Sequence, residues 1–138
     1  MIRKLITAAL LVASTSASAG TWSQVVNYPE GGCNRVPSGT MCLSACAFAW
    51  LKGSKRINDG IVGFHFPYSP ETMQSDIFDL LRTMVFLNER GYMWMWEDMT
   101  ETTPSKFVML KGQNVWVVEW RDVNGYKMSS NPSALERC

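Results

Sequence analysis

The most informative segment of this chain is residues 39–53, which read GTMCLSACAFAWLKG. Residues 45–52 are rich in alanine and apolar all round, a pattern typical of a short helix buried on every side. Gly53 is suited to end such a helix. Ser44 stands directly before it, where its hydroxyl either caps the helix or acts as a nucleophile beside the free N–H groups of the first turn.

The chain contains a single histidine, His65. It lies within residues 61–66, IVGFHF, which predict a short, well-buried strand. A serine hydroxyl needs a base before it becomes a good nucleophile, and such a strand can run back beside the start of the helix. Ser44 and His65 are therefore a candidate catalytic pair, with a hydrogen-bonded structural histidine as the alternative.

Helix signals follow this strand. Ser69-Pro70-Glu71 combines a capping residue, a proline at the first helical position and an early acid. Apolar residues at spacings of three and four then predict one apolar stripe, on a helix that Gly91 closes. The stripe comprises Met73, Ile77, Leu80, Leu81, Met84 and Leu87. The Met- and Trp-rich residues 92–99 predict another short helix in the core rather than a cofactor site.

Strand signals dominate the remaining parts of the chain. Residues 115–120 predict a strand, and residues 126–128 predict its return partner in a C-terminal β-hairpin. Residues 22–27 predict one short strand near the other end. The order of elements predicts an α/β domain in which helices pack on a small β-sheet.

The first 19 residues predict a secretory signal peptide. Arg3 and Lys4 precede a short apolar run, and Ala17-Ser18-Ala19 is a small-residue cleavage site. Residues 20–138 then form one domain, which we expect to have no membrane anchor once the signal peptide is removed. The 138 residues are 46% apolar and carry a net charge of +1, so no basic excess points to a nucleic-acid partner.

All four cysteines lie in the exported part; they are Cys33, Cys42, Cys46 and Cys138. An even number in an exported protein favours disulfides, and the three pairings stay open. A Cys33–Cys138 bond would tie the two ends together, whereas a Cys42–Cys46 bond would make the turn that holds Ser44 rigid. The spacing and the single histidine speak against a zinc site, and we expect no metal and no cofactor.

Residues 35–56 followed by Gly63-Phe64-His65 resemble a known pattern. It is that of the exported, ClpP-like proteins of the ClpP/crotonase superfamily in Gram-negative bacteria, with a Cys-x-Ser-Ala-Cys core, a helix ending in Gly and Arg, and a strand ending in Gly-Phe-His. The resemblance implies a partial ClpP/crotonase-like fold, truncated in its N-terminal half, and a periplasmic location. Only 11 residues separate Gly32 from Ser44, too few for the helix and strand that the superfamily places there.

The resemblance also implies roles for individual residues. Ser44 takes the place of the serine nucleophile and His65 that of the general base. The N–H of Ala45 would be one oxyanion donor, and the glycine pair Gly31 and Gly32 would supply the other. The third triad position, an Asp in Clp peptidases, falls near residues 102–104, where no Asp stands.

Two functions follow from the resemblance as expectations, and a small disulfide-stapled exported module unrelated to the superfamily is the third alternative. The first is a serine hydrolase or peptidase that uses Ser44 and His65 on an acyl or peptide bond. The second is an inactive relative that keeps the signature for packing and binds a partner protein in the periplasm. Both imply a peptide or protein as substrate or partner. Members of the superfamily often assemble into trimers or larger rings, so the resemblance also implies a homo-oligomer.

Overall fold

The computed structural model describes residues 21–69 and 71–138. The signal peptide predicted for residues 1–19 lies outside these residues. The helices are α1 (Trp22–Asn27), α2 (Ala45–Trp50), α3 (Ile77–Glu89) and α4 (Trp96–Met99). The strands are β1 (Cys33–Val36), β2 (Thr40–Leu43), β3 (Lys55–Asn58), β4 (Ile61–Phe64), β5 (Lys106–Lys111), β6 (Asn114–Glu119), β7 (Lys127–Ser129) and β8 (Glu136–Arg137).

The strands form two sheets. The smaller has the order β3-β1-β8, and the larger has the order β6-β5-β4-β2-β7. In the larger sheet β2 is parallel to both β4 and β7, whereas β5 is antiparallel to both β4 and β6. The α/β class predicted from the sequence is confirmed.

One βαβ unit links the two sheets. β1 and β2 are separated by a turn at residues 37–39, and β3 and β4 by a turn at residues 59–60, so each chain segment contributes a strand to both sheets. β1 pairs in parallel with β3, and β2 pairs in parallel with β4. α2 is the crossover between the two segments. The carboxyl ends of β2 and β4 therefore meet at one edge of the larger sheet.

The core is built on α2. All six of its residues are buried, as its apolar composition predicts. Phe48 packs edge-to-face against the rings of Trp22, Phe64 and Phe86, with centroids 5.4–5.7 Å apart. These contacts join α1, β4 and α3 to the short helix, so several elements depend on one buried side chain.

The other face of the larger sheet is covered by its own chain. Met41, Leu43 and Ile61 are buried there. Trp120, Val123 and Tyr126 pack against this cluster. They belong to the connection from β6 to β7, which lie at opposite edges of the sheet, and this crossing segment takes the place of a helical layer.

Three details of the sequence interpretation are wrong. Residues 22–27 form a helix, because Thr21 and Gln24 make a capping box. The C-terminal hairpin is absent from the described residues, since residues 127–129 pair with β2 rather than with β6. Residues 71–74 are not helical: Met73 has φ +58°.

The long helix starts later than predicted and faces differently. Asp76 accepts a hydrogen bond from the N–H of Phe78 (3.2 Å), so α3 begins at Ile77. Thr83 and Leu87 are its buried residues. Four apolar side chains on the opposite face are 49–70% exposed; they are Ile77, Phe78, Leu81 and Val85. The apolar stripe predicted from the sequence is therefore partly a surface feature.

Lys52 caps a different helix from the one it follows. Its Nζ is 2.7 Å from the carbonyl of Val25, 3.1 Å from that of Val26 and 2.6 Å from that of Tyr28. These carbonyls lie at the end of α1, where helical acceptors lack partners. One ammonium thus holds α1 against the end of α2.

Two disulfides, Cys33–Cys138 and Cys42–Cys46, include all four cysteines. Such bonds persist in oxidising environments outside the cytoplasm, which agrees with an exported protein. Among residues 21–69 and 71–138, none of the helices combines the length and apolar character needed to cross a membrane.

Candidate functional site

The parallel pairing of β2 and β4 brings Ser44 and His65 together. Leu43 is in register with Gly63, so the residues that follow both strands meet at the same edge. The N–H of Ser44 donates to the carbonyl of Gly63 (2.9 Å). Ser44 Oγ lies 3.2 Å from His65 Nε2, which is within reach for proton transfer to a base.

Ser44 has an unusual backbone conformation. Its φ is +55° and its ψ is −119°, and its side chain makes no capping hydrogen bond to α2. A positive φ in a residue other than glycine costs free energy and persists only where the surroundings enforce it. This geometry turns the hydroxyl away from the helix end and toward His65. The capping interpretation of Ser44 is therefore wrong.

The second ring nitrogen of His65 has its own partner. Nδ1 lies 3.1 Å from the carbonyl oxygen of Thr103. A carbonyl only accepts, so Nδ1 carries the proton and Nε2 presents its lone pair to the hydroxyl of Ser44. This is the tautomer that a general base needs. The acceptor is a backbone carbonyl at the position where the resemblance implies an Asp.

Two aromatic rings contact the imidazole of the half-buried His65. Phe107 stacks on it with centroids 4.1 Å apart at an interplanar angle of 20°, and Tyr68 meets it edge-on at 5.3 Å. Burial disfavours the charged imidazolium and lowers the pKa of His65 to about 4, although the hydrogen bond to Thr103 acts in the opposite direction. His65 is consequently neutral and able to accept a proton at neutral pH.

The loop that supplies the Thr103 carbonyl is held on both sides. The Tyr68 hydroxyl donates to the carbonyl of Thr102 (2.8 Å). Thr103 Oγ1 accepts from the N–H groups of Ser105 (3.3 Å) and Lys106 (3.0 Å). Neither Tyr68 nor the Thr103 carbonyl is identified by sequence reasoning; the sole signal is that residues 102–104 fall at the third triad position.

The candidate oxyanion donors fall in two places. The first hydrogen bond of α2 runs from the N–H of Phe48 to the carbonyl of Ser44 (2.9 Å), so the N–H of Ala45 has no acceptor within the helix. The glycine pair lies at the other end of α2. The N–H of Gly31 donates to the carbonyl of Lys52 (2.9 Å), and the carbonyl of Gly32 accepts from the N–H of Lys55. The structure therefore does not bring Gly31 and Gly32 to Ser44.

The two disulfides occupy different parts of the fold. Cys33–Cys138 joins the start of β1 to residue 138, across 105 residues. Cys42–Cys46 spans four residues with Ser44 at its midpoint. Cys42, in β2, and Cys46, in the first turn of α2, are fully buried. In the described part of the chain, no three His, Cys, Asp or Glu side chains converge as a metal site.

An open groove of about 1040 Å³ lies between α1 and α3. Trp22, Val26, Phe78 and Val85 supply its apolar wall, and neither Ser44 nor His65 lines it. The groove and the Ser44–His65 pair are thus separate features.

The chain matches no family model, no curated protein and no solved structure. The resemblance to the ClpP-like proteins therefore stays a prediction.

Proposed function

We propose that residues 20–138 form a periplasmic serine hydrolase of ClpP/crotonase descent that acts on an acyl or peptide bond. The observation that carries this proposal is the chain of contacts from Ser44 Oγ to His65 Nε2 and from His65 Nδ1 to the Thr103 carbonyl. Nucleophile, base and orienting acceptor are the three roles that activation of a serine requires.

In the proposed reaction Ser44 Oγ attacks the substrate carbonyl carbon while its proton passes to His65 Nε2. His65 then gives that proton to the leaving group, and an acyl-enzyme remains. Water then gives a proton to the same nitrogen and attacks the acyl carbon. The bond from that carbon to Ser44 Oγ breaks, the acid leaves, and His65 returns the proton to Ser44 Oγ. The N–H of Ala45 is the donor proposed to face the oxyanion.

The orienting group sets an expected limit on the rate. A carbonyl fixes the tautomer of His65 but brings no negative charge to stabilise the imidazolium formed during attack. A base whose pKa is about 4 also accepts a proton less readily at neutral pH than one poised near 7. We therefore propose a slow hydrolase.

Labelling with a fluorophosphonate probe tests the proposal. The probe's phosphorus bonds to Ser44 Oγ with loss of fluoride, and intact mass with peptide mapping locates it. We expect one label per chain at Ser44, none in Ser44→Ala, and labelling slower by about 10²- to 10⁴-fold in His65→Ala.

Ser133→Ala is the matched control. Ser133 is exposed in the single-turn helix Pro132–Ala134, outside the candidate pair and outside the loop that holds the Thr103 carbonyl, so this variant should label like the wild type. If the folded wild-type chain takes up no label, or if His65→Ala labels at the wild-type rate, Ser44 is not an activated nucleophile.

The second candidate function is a binding protein without catalysis, and the exposed apolar face of α3 favours it. Four large side chains at 49–70% exposure, next to the groove against α1, form the kind of patch that marks interaction sites. A peptide, a partner protein or a second copy in a homo-oligomer would cover it. Light scattering of the purified chain tests the homo-oligomer: a monomer at all concentrations rules out the second copy.

A further inference from the structure

The Cys42–Cys46 disulfide encloses the junction between β2 and α2. Cys42 lies two residues before Ser44, and Cys46 lies two residues after it. Cys42 is fixed in the sheet, since it pairs with Val62 on one side and with Ser129 on the other. The bond therefore fastens the first turn of α2 to a strand that is held on both edges.

The backbone conformation of Ser44, which lies inside the loop closed by this bond, has to be stabilised by its surroundings. Ser44 holds φ +55° and ψ −119° without a side-chain capping bond, and such a residue stays there only when its neighbours over-determine it. Its N–H is held by Gly63, and its carbonyl accepts from Phe48. The first bond ties Ser44 to the sheet through β4, and the second ties it to α2. The Ser44 conformation therefore depends on how the start of α2 is placed against the sheet, which is the relation that the disulfide fixes.

The two disulfides differ in the length of the loop that each one closes. Stabilisation by loop closure grows with the number of residues enclosed. Cys33–Cys138 spans 105 residues and Cys42–Cys46 spans four. Cys33–Cys138 is therefore the larger contributor to global stability, whereas Cys42–Cys46 acts on local geometry.

The burial of Cys42 and Cys46 indicates a permanent structural disulfide rather than a redox switch. Cys42 and Cys46 are both 0% exposed, so a reductant does not reach their sulfurs in the folded protein. A redox-regulated bond would have to be accessible.

We propose that the Cys42–Cys46 disulfide is a positioning element that holds Ser44 in the conformation from which its hydroxyl reaches His65. This inference rests on the proposed function for its kinetic consequence. Its structural consequence, an ordered Ser44 backbone, stands independently of catalysis.

The test compares two double variants of the oxidised chain, Cys42→Ala/Cys46→Ala and Cys33→Ala/Cys138→Ala. We expect the first to label at least tenfold more slowly with fluorophosphonate than the wild type, with an unchanged pH dependence of the rate because His65 keeps its surroundings. We expect the second to melt at a lower temperature but, while folded, to label within twofold of the wild-type rate.

Amide hydrogen exchange supplies a readout that does not need activity. The N–H of Ser44, bonded to Gly63, should exchange at least tenfold faster in Cys42→Ala/Cys46→Ala. The N–H of Asp59, bonded to Val36 at the other turn (2.9 Å), should not change. If the wild type takes up no label, the proposed function fails, and this exchange measurement alone decides the positioning role.

The inference would be overturned if Cys42→Ala/Cys46→Ala were labelled at the wild-type rate, or if its Ser44 N–H exchanged at the wild-type rate. If that variant does not fold, Cys42→Val/Cys46→Ala refills the buried volume on the strand and takes its place. Failure of both to fold, under conditions where Cys33→Ala/Cys138→Ala is folded, would also overturn it, because the short bond would then be required by the whole fold.

Discussion

α2 and α3 differ in length and in burial, and the longer helix is the less buried of the two. α2 has six residues and all are buried, whereas α3 has 13 residues of which Thr83 and Leu87 are buried. Both helices are rich in apolar side chains. The shorter one lies between two strands in the chain, and its crossover position forces it onto the sheet.

The difference indicates that the two helices have different roles: α2 is part of the core around Ser44, whereas α3 presents a surface. A six-residue helix has little stability of its own, so α2 exists because its neighbours enclose it. Those neighbours hold Ser44 at its start. α3 contributes its buried face to the core and leaves the other face available for contact with another molecule.

The largest effect expected comes from comparing one phenylalanine in each helix. Phe48→Ala removes a ring that contacts three other aromatic rings and should lower the free energy of unfolding by about 3–5 kcal/mol. Phe78→Ala, at a side chain that is 70% exposed, should lower it by less than about 1 kcal/mol. Denaturant unfolding of the oxidised proteins measures both, and equal losses would show that α3 is covered in solution.

A second comparison addresses the conformation at the start of α2. Ser44→Gly and Ser44→Ala both delete the hydroxyl, but glycine adopts a positive φ without strain. We expect the glycine variant to be more stable than the alanine variant by about 1–2 kcal/mol. Equal stabilities would mean that the Ser44 backbone is not strained in solution.

A third prediction concerns the charge that the site lacks. Thr103→Asp keeps an oxygen for the N–H groups of Ser105 and Lys106 and adds a negative charge near the imidazole. It should raise the pKa of His65 above the wild-type value of about 4, because a nearby anion favours the imidazolium. Thr103→Asn is the uncharged control and should leave the pKa unchanged.

The single histidine makes this measurement direct, since NMR titration follows one imidazole resonance. In the wild type the folded pKa lies below the usual value of 6.5. Protons therefore bind more tightly to the unfolded chain, and the contribution of His65 to stability, complete above pH 6.5, declines as the pH falls toward 4. A wild-type midpoint near 6.5 would contradict the desolvation of the imidazole by its surroundings.

The smallest effect is expected on the exposed face of α3. Leu81→Lys places a charge on a side chain that is 49% exposed and should change the free energy of unfolding by no more than about 0.5 kcal/mol. Asn88→Lys, at an exposed polar position of the same helix, is the control. A loss above about 1 kcal/mol for Leu81→Lys alone would indicate that this face is buried in an assembly.

The sequence predicts the centre of the fold better than its periphery. The apolar helix after Ser44 and the buried strand before His65 are recognisable because every residue in them faces the core. α3 is misjudged because its apolar residues surround much of the helix, and spacing alone does not say which stripe is covered. Pairing of residues 127–129 with β2 depends on a chain crossing that no local pattern encodes.

The site is predictable only where side chains define it. Ser44 and His65 are named by the sequence, but the partner of His65 Nδ1 is a main-chain carbonyl, which has no sequence signature. Gly31 and Gly32 illustrate the opposite case: the resemblance predicts an oxyanion role for them, yet their hydrogen bonds belong to the end of α2.

The Lys52 ammonium also has a practical consequence. It is 7% exposed and bound to two carbonyls of α1 and to that of Tyr28, the residue that follows α1. An amine-reactive reagent therefore meets it only when α1 separates from the end of α2. The rate at which Lys52 is acylated, relative to the exposed Lys55, therefore reports how often the α1–α2 contact opens. The chain thus carries an internal probe of local opening that requires no introduced dye or mutation.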